Sequence, residues 1–271
     1  MQRLKVLSFN IWHREAPWEA RRELIRRGVA QLAPDLVGFQ EVLSLTMANG
    51  RQNQADELCH GTPYSYVFGR AQTLGPGFEF GNALASRHPI LEHEVFALPG
   101  EESGETRSVL YALVDSPYGE VPVFVTHLNW KLQHGSIRCQ QIKRITKIMN
   151  ERAPTGSHFP ALLLGDMNAE PDSDEMRYLR GLATLEGESV YLADSWIYGG
   201  DGSPGYTFDR RNPYAARSHE PPRRIDYVYV RGPDAYLRGE PLFTKVVFDA
   251  AEGGVWPSDH FGVYTEISAG S

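Results

Sequence analysis

The stretch Leu162-Leu163-Leu164-Gly165-Asp166-Met167-Asn168-Ala169-Glu170-Pro171 joins a buried-strand pattern to two polar side chains that follow it directly. The apolar run has the length of a strand, and Pro171 cannot continue a strand ladder because it lacks a backbone N–H. Asp166 and Asn168 are two residues apart, so in an extended chain both side chains project from one face. The stretch predicts either an Asx-type turn after a core strand or a polar site at the end of a rigid strand.

Length and composition predict a globular protein with a large core. The chain has 271 residues, of which 41% are hydrophobic, and no Gly/Ser-rich or Pro-rich linker divides it. We therefore expect a single domain over residues 1–271. The formal net charge is −7, from 27 basic and 34 acidic residues. This balance disfavours nonspecific binding to long nucleic acid, because such binding depends on neutralising many phosphates.

Cysteine content and hydropathy bear on the cellular compartment. The two cysteines, Cys59 and Cys139, provide neither a disulfide framework nor zinc-ligand spacing, so we expect reduced thiols. The N-terminal residues lack the long apolar segment of a signal peptide, and no 18-residue apolar run occurs. These features predict a cytoplasmic protein with no integral membrane segment. No segment has an oligomerisation pattern, so a monomer is the default expectation.

The first forty residues predict a strand, a helix and a second strand. Residues 4–9 are an apolar run that ends at Asn10, and residues 35–41 are another that ends at Glu41. Between them, apolar residues recur at helical spacing over Trp18–Leu32. If the two strands pair in parallel, Asn10 and Glu41 lie at the same edge of the sheet.

The rest of the chain continues this alternation of strands and helices, and the last predicted strand opens with Asp259 and His260. Further strands are predicted within residues 64–68, 78–90, 107–114, 121–126, 161–164, 225–230 and 258–267. Helices are predicted at 47–59, 137–150 and 173–182, the last with Ser173 as its N-cap.

Polar residues interrupt these apolar strands at their ends or inside them. They are Asn10, Glu41, His127, Asn129, Asp166, Asn168, Asp226, Asp259 and His260. Each has an ordinary alternative when taken alone; Asp226, for example, could simply pair with Arg223 or Arg224. Nine such coincidences at strand boundaries instead favour one site. Carboxylates crowded together raise one another's pKa unless a cation lies between them, and oxygen ligands without thiolates favour Mg²⁺ or Mn²⁺ over zinc.

Seven short motifs, in order along the chain, carry a resemblance to a known superfamily. They are Ser8-Phe9-Asn10-Ile11-Trp12, Gly38-Phe39-Gln40-Glu41-Val42, Gly81-Asn82-Ala83-Leu84-Ala85-Ser86-Arg87, Thr126-His127-Leu128-Asn129, Gly165-Asp166-Met167-Asn168, Arg224-Ile225-Asp226-Tyr227-Val228 and Ser258-Asp259-His260. The ordered set resembles the endonuclease/exonuclease/phosphatase superfamily, which has the deoxyribonuclease I-like fold. The resemblance implies an α+β fold, a four-layer α/β/β/α sandwich. In it, two mixed, mostly antiparallel sheets pack face to face with helices outside.

The resemblance also implies metal-dependent hydrolysis of a phosphate ester, with Mg²⁺ or Mn²⁺ as cofactor. It assigns Glu41 as the principal metal ligand, with Asn10 and Asp259 beside it. It assigns Asp166 to orient or deprotonate the attacking water. Asn168 would hold a non-bridging phosphate oxygen.

The resemblance also assigns the two histidines roles on opposite sides of the phosphate. His260 would act as base or transition-state stabiliser and would be oriented by Asp226. His127 would serve the leaving group, with Glu79 as the carboxylate that orients it. Asn129 and Arg107 are the remaining implied phosphate contacts.

The substrate is less constrained than the chemistry. A phosphodiester is the main prediction, either a small molecule or lipid head group, as in the sphingomyelinase-like branch, or the ends of DNA or RNA. The alternatives are a phosphomonoesterase on a polyphosphorylated small molecule and a silent binding protein on the same fold. We expect recognition in the loops at 47–61, 72–79, 131–136 and 199–222. Aromatic and arginine residues at 205–213 would suit stacking or a phosphate clamp, although a solvated loop is an equal alternative.

Overall fold

The computed structural model describes residues 2–47, 50–156 and 158–270. The strands are β1 (Arg3–Asn10), β2 (Leu36–Met47), β3 (Gly50–Asn53), β4 (Ser65–Gly75), β5 (Phe78–Ser86), β6 (Ile90–Leu98), β7 (Arg107–Ser116), β8 (Gly119–His127), β9 (Leu162–Asp166), β10 (Ala193–Asp194), β11 (Asp226–Val230), β12 (Pro241–Val247) and β13 (Gly262–Ser268). The α-helices are α1 (Trp18–Leu32), α2 (Gln54–Cys59), α3 (Gly135–Arg152), α4 (Asp174–Leu179) and α5 (Ser195–Gly199).

The strands form two mixed sheets. One has the order β12-β13-β1-β2-β5-β4, with β3 added to β2, and the other has the order β10-β11-β9-β8-β7-β6. Only β1–β2 and β8–β9 are parallel among the described pairs, and each is joined by a helical crossover, as parallel neighbours require. The predicted α+β sandwich of two mostly antiparallel sheets is confirmed.

Three apolar cores separate the layers. The central core lies between the sheets and joins residues such as Leu4 and Leu84 to Val123 and Leu164. Outside the first sheet, α1 and α2 cover a core that includes Ile25. Outside the second sheet, α3 and α4 cover another, and Ile142, Ile145 and Met149 of α3 are fully buried there. Both central strand pairs are thus buried on two faces, which gives the polar residues at their ends a rigid base.

Two predicted elements differ from the structure. The helix predicted at 47–59 is confined to α2, because residues 50–53 instead pair with β2 through backbone hydrogen bonds that do not depend on their polar side chains; residues 48 and 49 lie outside the described residues. The last strand begins at Gly262, so Asp259 and His260 precede it, and His260 forms an isolated bridge with Phe208. Both cysteines are free thiols, as predicted.

Each sheet has an edge strand that was not predicted. In β6 most side chains are exposed and several are charged, and β12 alternates buried and exposed residues at the edge of the first sheet. Charged edge strands are common because they discourage pairing with other chains. None of the described helices combines the length and hydropathy needed to cross a membrane.

Candidate active site

Asp166 is the middle residue of a row across three neighbouring strands. It ends β9, and His127, which ends β8, lies opposite it in the parallel pair. Asp226, which begins β11, lies opposite it in the antiparallel pair. Directly opposite residues project from the same face of a sheet. All three side chains are buried, so the backbone register alone brings two carboxylates and an imidazole together.

The chain turns sharply after Asp166. Its Oδ1 accepts a hydrogen bond from the backbone N–H of Asn168 at 2.9 Å, which is the contact of an Asx turn. Asn168 has a φ of 49°, in the left-handed region that asparagine tolerates better than most residues. The two residues therefore do not share an extended face, and the structure corrects that prediction. The carboxamide of Asn168 is fixed instead by donating to the carbonyl of Leu128 at 3.2 Å.

The other carboxylate oxygen of Asp166, Oδ2, faces three nitrogen atoms. His127 Nε2 lies 3.4 Å away, His260 Nε2 lies 3.7 Å away, and Asn10 Nδ2 donates at 3.0 Å. Burial alone would raise the pKa of Asp166, but the two imidazoles and the hydrogen bonds from Asn168 and Asn10 hold the pKa below its usual value. Asp166 is therefore an ionised acceptor at neutral pH.

His260 forms a close pair with Asp226. Its Nδ1 lies 2.9 Å from Asp226 Oδ2, and Thr207 Oγ1 accepts the backbone N–H of Asp226 at 3.1 Å. Burial alone would lower the pKa of His260, but Asp226, Asp166 and Asp259 raise it well above its usual value. Burial raises the pKa of Asp226 to about 6. At pH 7 the pair is therefore an imidazolium beside a carboxylate. The alternative that Asp226 simply pairs with Arg223 or Arg224 is wrong, because those arginines pair with Glu170 and Asp194 respectively.

His127 has the opposite electrostatic character. Burial, followed by the nearby charge of Arg107, lowers its pKa to about 4. The ring is therefore neutral at pH 7. Its Nδ1 atom makes no hydrogen bond to any residue that the structure describes, although it is buried. Within the described part of the chain, this ring nitrogen is therefore available to bond to a substrate or a water molecule.

The structure corrects the prediction that Glu79 orients His127. The ring of Phe80 packs against the His127 ring at 6.4 Å between centroids. Adjacent side chains of a strand point to opposite faces, so Glu79 faces away from the site. There its carboxylate pairs with Arg51 and Arg70.

A β-bulge aims Glu41 into the site. The register between β2 and β5 shifts between Phe39 and Val42, and Glu41 has a φ of 58°, which is uncommon for a residue with a side chain. Glu41 Oε1 accepts a hydrogen bond from Asn10 Nδ2 at 3.1 Å. Asn10 lies opposite Gln40 in the parallel register, so its side chain reaches Glu41 at the same edge of the site, as the sequence predicted. The predicted strand end is wrong, however, because β2 continues through the bulge to Met47.

Asp259 lies beside Glu41. Ser258 Oγ donates to the Asn10 carbonyl at 2.7 Å and contacts Asp259 Oδ1 at 3.2 Å, which ties the loop before β13 to the end of β1. Burial, with the nearby charge of Glu41 acting in the same direction, raises the pKa of Asp259 to about 7. The three predicted metal ligands are therefore brought together, and the carboxyl groups of Glu41 and Asp259 repel each other.

Arg21 supports this side of the site and was not predicted. Its guanidinium is fully buried and donates to the carbonyls of Ile11, Trp12 and His13, in a loop where Trp12 and His13 have positive φ. Burial lowers the pKa of Arg21 to about 10, so it remains charged. Its sequence signal was its place between Trp18 and Ile25 on the apolar stripe of α1, where a charged residue is unexpected.

A pocket of about 500 Å³ opens over part of this site, and Asn10, Asp226 and Asp259 are not among the residues that line it. The polar residues at its floor are Glu41, His127, Asp166, Asn168 and His260. Arg107 also lines the pocket and makes two hydrogen bonds to Glu105, at 2.9 and 3.1 Å. The predicted phosphate contact Asn129 does not line it, because its carboxamide is fully buried and holds Ser103 and the backbone of Lys131.

A sequence model of the Endonuclease/Exonuclease/phosphatase family matches residues 7–260. This chain belongs to the endonuclease/exonuclease/phosphatase family. The match begins in β1 and ends at His260, so it spans all the polar strand-end residues described above.

Individual relatives support the fold. The chain is 24% identical to Protein angel of Drosophila melanogaster over 195 residues, 65% of this chain and 50% of that protein, so it spans about half the length of that relative. An endonuclease/exonuclease/phosphatase of Beutenbergia cavernae DSM 12333 superposes with a TM-score of 0.77 at 24% identity, over 100% of this chain and 72% of that one. D. rerio TDP2 complexed with single-strand DNA product gives 0.75 at 20% identity, over 99% of this chain and 100% of that one. At these identities the likeness to the solved structures shows a shared fold.

Proposed function

We propose that this chain is a divalent-metal-dependent phosphoesterase and that phosphodiesters are its preferred substrates. The observation that carries the proposal is the position of Asp166 between the imidazoles of His127 and His260, of which the second is backed by Asp226. Phosphodiester hydrolysis needs a positioned water, neutralisation of charge on the phosphate oxygens and help for the leaving alkoxide. The pocket presents a group for each of these needs.

The residues that would hold Mg²⁺ or Mn²⁺ are Glu41, Asn10 and Asp259. Their donor set is all oxygen, and burial together with the nearby charge of Glu41 raises the pKa of Asp259 to about 7, so a cation bound there would stabilise the ionised carboxylate. When bound, the ion would neutralise charge on the phosphate oxygens. Asp166, Asp226 and His260 also present ligand atoms within 4.8 Å of one another. We favour the first set, because His260 and Asp226 already bond to each other at 2.9 Å.

Asp166 and His260 act on the water side. Asp166 is held as an ionised acceptor, and the imidazolium of His260 can donate to a negatively charged phosphate oxygen. The water oxygen bonds to phosphorus while the bond from phosphorus to the leaving alcohol breaks. One water proton passes to Asp166 and the other stays on the new phosphoryl oxygen, while the alkoxide takes up a proton from solvent. Asp166 then returns its proton to solvent, so the products are a phosphomonoester monoanion and an alcohol.

His127, Arg107 and Asn168 act on the substrate. The neutral His127 ring is a hydrogen-bond donor to the leaving oxygen, since a ring with a pKa of about 4 is not a preformed acid at pH 7. Arg107, whose charge acts on His127 while its guanidinium stays paired with Glu105, would add positive charge beside the scissile phosphate without bonding to it directly. Asn168, with its carboxamide fixed on Leu128, would hold a non-bridging oxygen.

The test is a comparison of bis(4-nitrophenyl) phosphate with 4-nitrophenyl phosphate, each with Mg²⁺, with Mn²⁺ and with chelator. We expect turnover that requires the metal and a higher kcat/KM for the diester. A higher kcat/KM for the monoester would assign the protein as a phosphatase. Equal rates with and without chelator would remove the metal from the proposal.

A second candidate is hydrolysis at nucleic-acid ends. It is favoured by the structural likeness to D. rerio TDP2, which was solved with a single-strand DNA product. Trimming of a labelled oligonucleotide at low salt, with a kcat/KM above that of small diesters, would select this function.

A further inference from the structure

One wall of the pocket is apolar, and it begins at His127. Phe80 packs on the His127 ring, and Leu43 and Gln72 lie directly opposite Phe80 on the two flanking strands. Directly opposite residues share a face, so these side chains form one row across the sheet. Trp130, three residues after His127, also lines the pocket and is 55% exposed.

Leu74 extends this wall and is 56% exposed. We refer to Leu43, Leu74, Phe80 and Trp130 together as the apolar wall. Exposed large apolar side chains grouped in a pocket mark a surface that a ligand covers. Because the wall adjoins His127, its position corresponds to the leaving-alcohol side of the proposed reaction.

The two arginines that line the pocket already pair with carboxylates. Arg107 is bonded to Glu105, and Arg223 contacts Glu170 and Glu220. The Nη2 of Arg223 also donates to a backbone carbonyl at 3.2 Å, and both guanidinium groups are buried. A second phosphate on the substrate would therefore have to displace a carboxylate from a buried arginine, and removing a partner from a buried charge is costly.

We infer that the substrate is a diester with a single phosphate, and that its leaving alcohol is large, uncharged and apolar and packs on the apolar wall. This inference rests on the proposed phosphodiesterase function. It excludes polyphosphorylated substrates and makes an oligonucleotide, with its run of phosphates, a poor substrate.

The test uses three diesters that share a methyl ester and differ in the second alcohol: ethyl methyl phosphate, hexyl methyl phosphate and 6-phosphohexyl methyl phosphate. Primary alkanols have similar acidity, so differences in kcat/KM report on binding of the alcohol rather than on its chemistry. Released alcohols are measured by mass spectrometry. We expect kcat/KM for the hexyl diester to exceed that for the ethyl diester by about tenfold or more, since four further methylene groups are removed from water.

The kcat/KM for the 6-phosphohexyl diester should be at least about tenfold below that for the hexyl diester, because the arginines that line the pocket already pair with carboxylates. In Trp130→Ala the hexyl-to-ethyl ratio should fall by about threefold or more, and Trp130→Phe should keep most of it. Tyr236→Ala is the matched control, because Tyr236 is an aromatic residue that is 77% exposed and outside the pocket.

The outcomes separate the inference from the function on which it rests. Turnover of all three diesters at similar kcat/KM would overturn the inference and leave the phosphodiesterase function standing. A kcat/KM for the 6-phosphohexyl diester or for oligothymidylate that exceeds the value for the hexyl diester would have the same consequence. If Trp130→Ala has the same hexyl-to-ethyl ratio of kcat/KM as the wild type, the assignment of the apolar wall is overturned. No metal-dependent turnover of any diester would remove the proposed function and the inference together.

Discussion

The Nδ1 atom of His260 lies 2.9 Å from Oδ2 of Asp226, and both side chains are buried. The pair connects the loop before β13 to the first residue of β11, so two distant parts of the chain fix one imidazole. Its other nitrogen, Nε2, points to Asp166 at 3.7 Å. The carboxylate thus sets both the orientation and the charge of the ring.

We expect Asp226→Asn to lower kcat by about 10²-fold or more while the protein remains folded. The substitution keeps the shape of the side chain but removes the charge that stabilises the imidazolium. Steady-state kinetics on bis(4-nitrophenyl) phosphate and a thermal melt measure the two effects. Asp174→Asn, at an exposed site, is the control. Activity within threefold of wild type would show that Asp226 does not support His260 in the reaction.

Asp166 and His260 should behave as one unit. We expect Asp166→Asn and His260→Ala each to lower kcat by about 10²-fold or more. Because the two side chains share the water side of the site, the double variant should be little slower than the slower single variant. A double variant whose losses multiply fully would show that the two residues act independently.

Glu41→Gln should change the response to metal specifically. It removes one carboxylate charge while its amide keeps the size of the side chain, so we expect the half-saturating Mg²⁺ concentration to rise by about tenfold or more. Mg²⁺ should also raise the melting temperature of the wild type more than that of the variant, since a ligand that binds only the native state stabilises it.

Glu105→Gln is the matched control for this experiment, because Glu105 lines the same pocket but pairs with Arg107. Unchanged Mg²⁺ titrations in Glu41→Gln, in both activity and melting, would refute the ligand assignment.

The pair of Asp194 and Arg224 should act on stability rather than on chemistry. Both side chains are buried, and the guanidinium donates to the two carboxylate oxygens at 3.0 and 2.9 Å. We expect Asp194→Ala to lower the free energy of unfolding by about 3–5 kcal/mol, because it leaves a buried charge unpaired. Urea denaturation measures this loss. Glu186→Ala, which breaks an exposed pair with Lys143, should have little effect, and equal losses in both would contradict the buried-charge explanation.

The sequence was sufficient to predict the parts of the fold that depend on local pattern. The helix Trp18–Leu32 and the apolar strands that end at Asn10 and Asp166 follow from spacing alone. Since these strands are central and rigid, the polar residues at their ends could also be placed together. His127 and Asp226 face Asp166 through backbone register, which the order of strands determines.

What the sequence could not predict depends on side-chain direction in three dimensions. Glu79 was assigned to His127, but strand alternation puts Phe80 there instead. Asn129 is two residues from His127, yet its carboxamide bonds to Ser103 and to the backbone of Lys131 instead of facing the pocket. The bulge at Glu41 could not be predicted from the residues of β2 alone, because it is a shift of register relative to the partner strand β5.

The most direct test of metal-dependent phosphodiester hydrolysis at Asp166 is the initial rate with bis(4-nitrophenyl) phosphate. The wild type and Asp166→Asn are prepared identically, freed of metal with chelator and then titrated with Mg²⁺. We expect no turnover by the wild type with chelator, a saturable rise in rate with Mg²⁺, and a maximum rate about 10²-fold lower in the folded variant. A wild-type rate that does not depend on Mg²⁺, or a variant as fast as the wild type at saturation, would contradict this expectation.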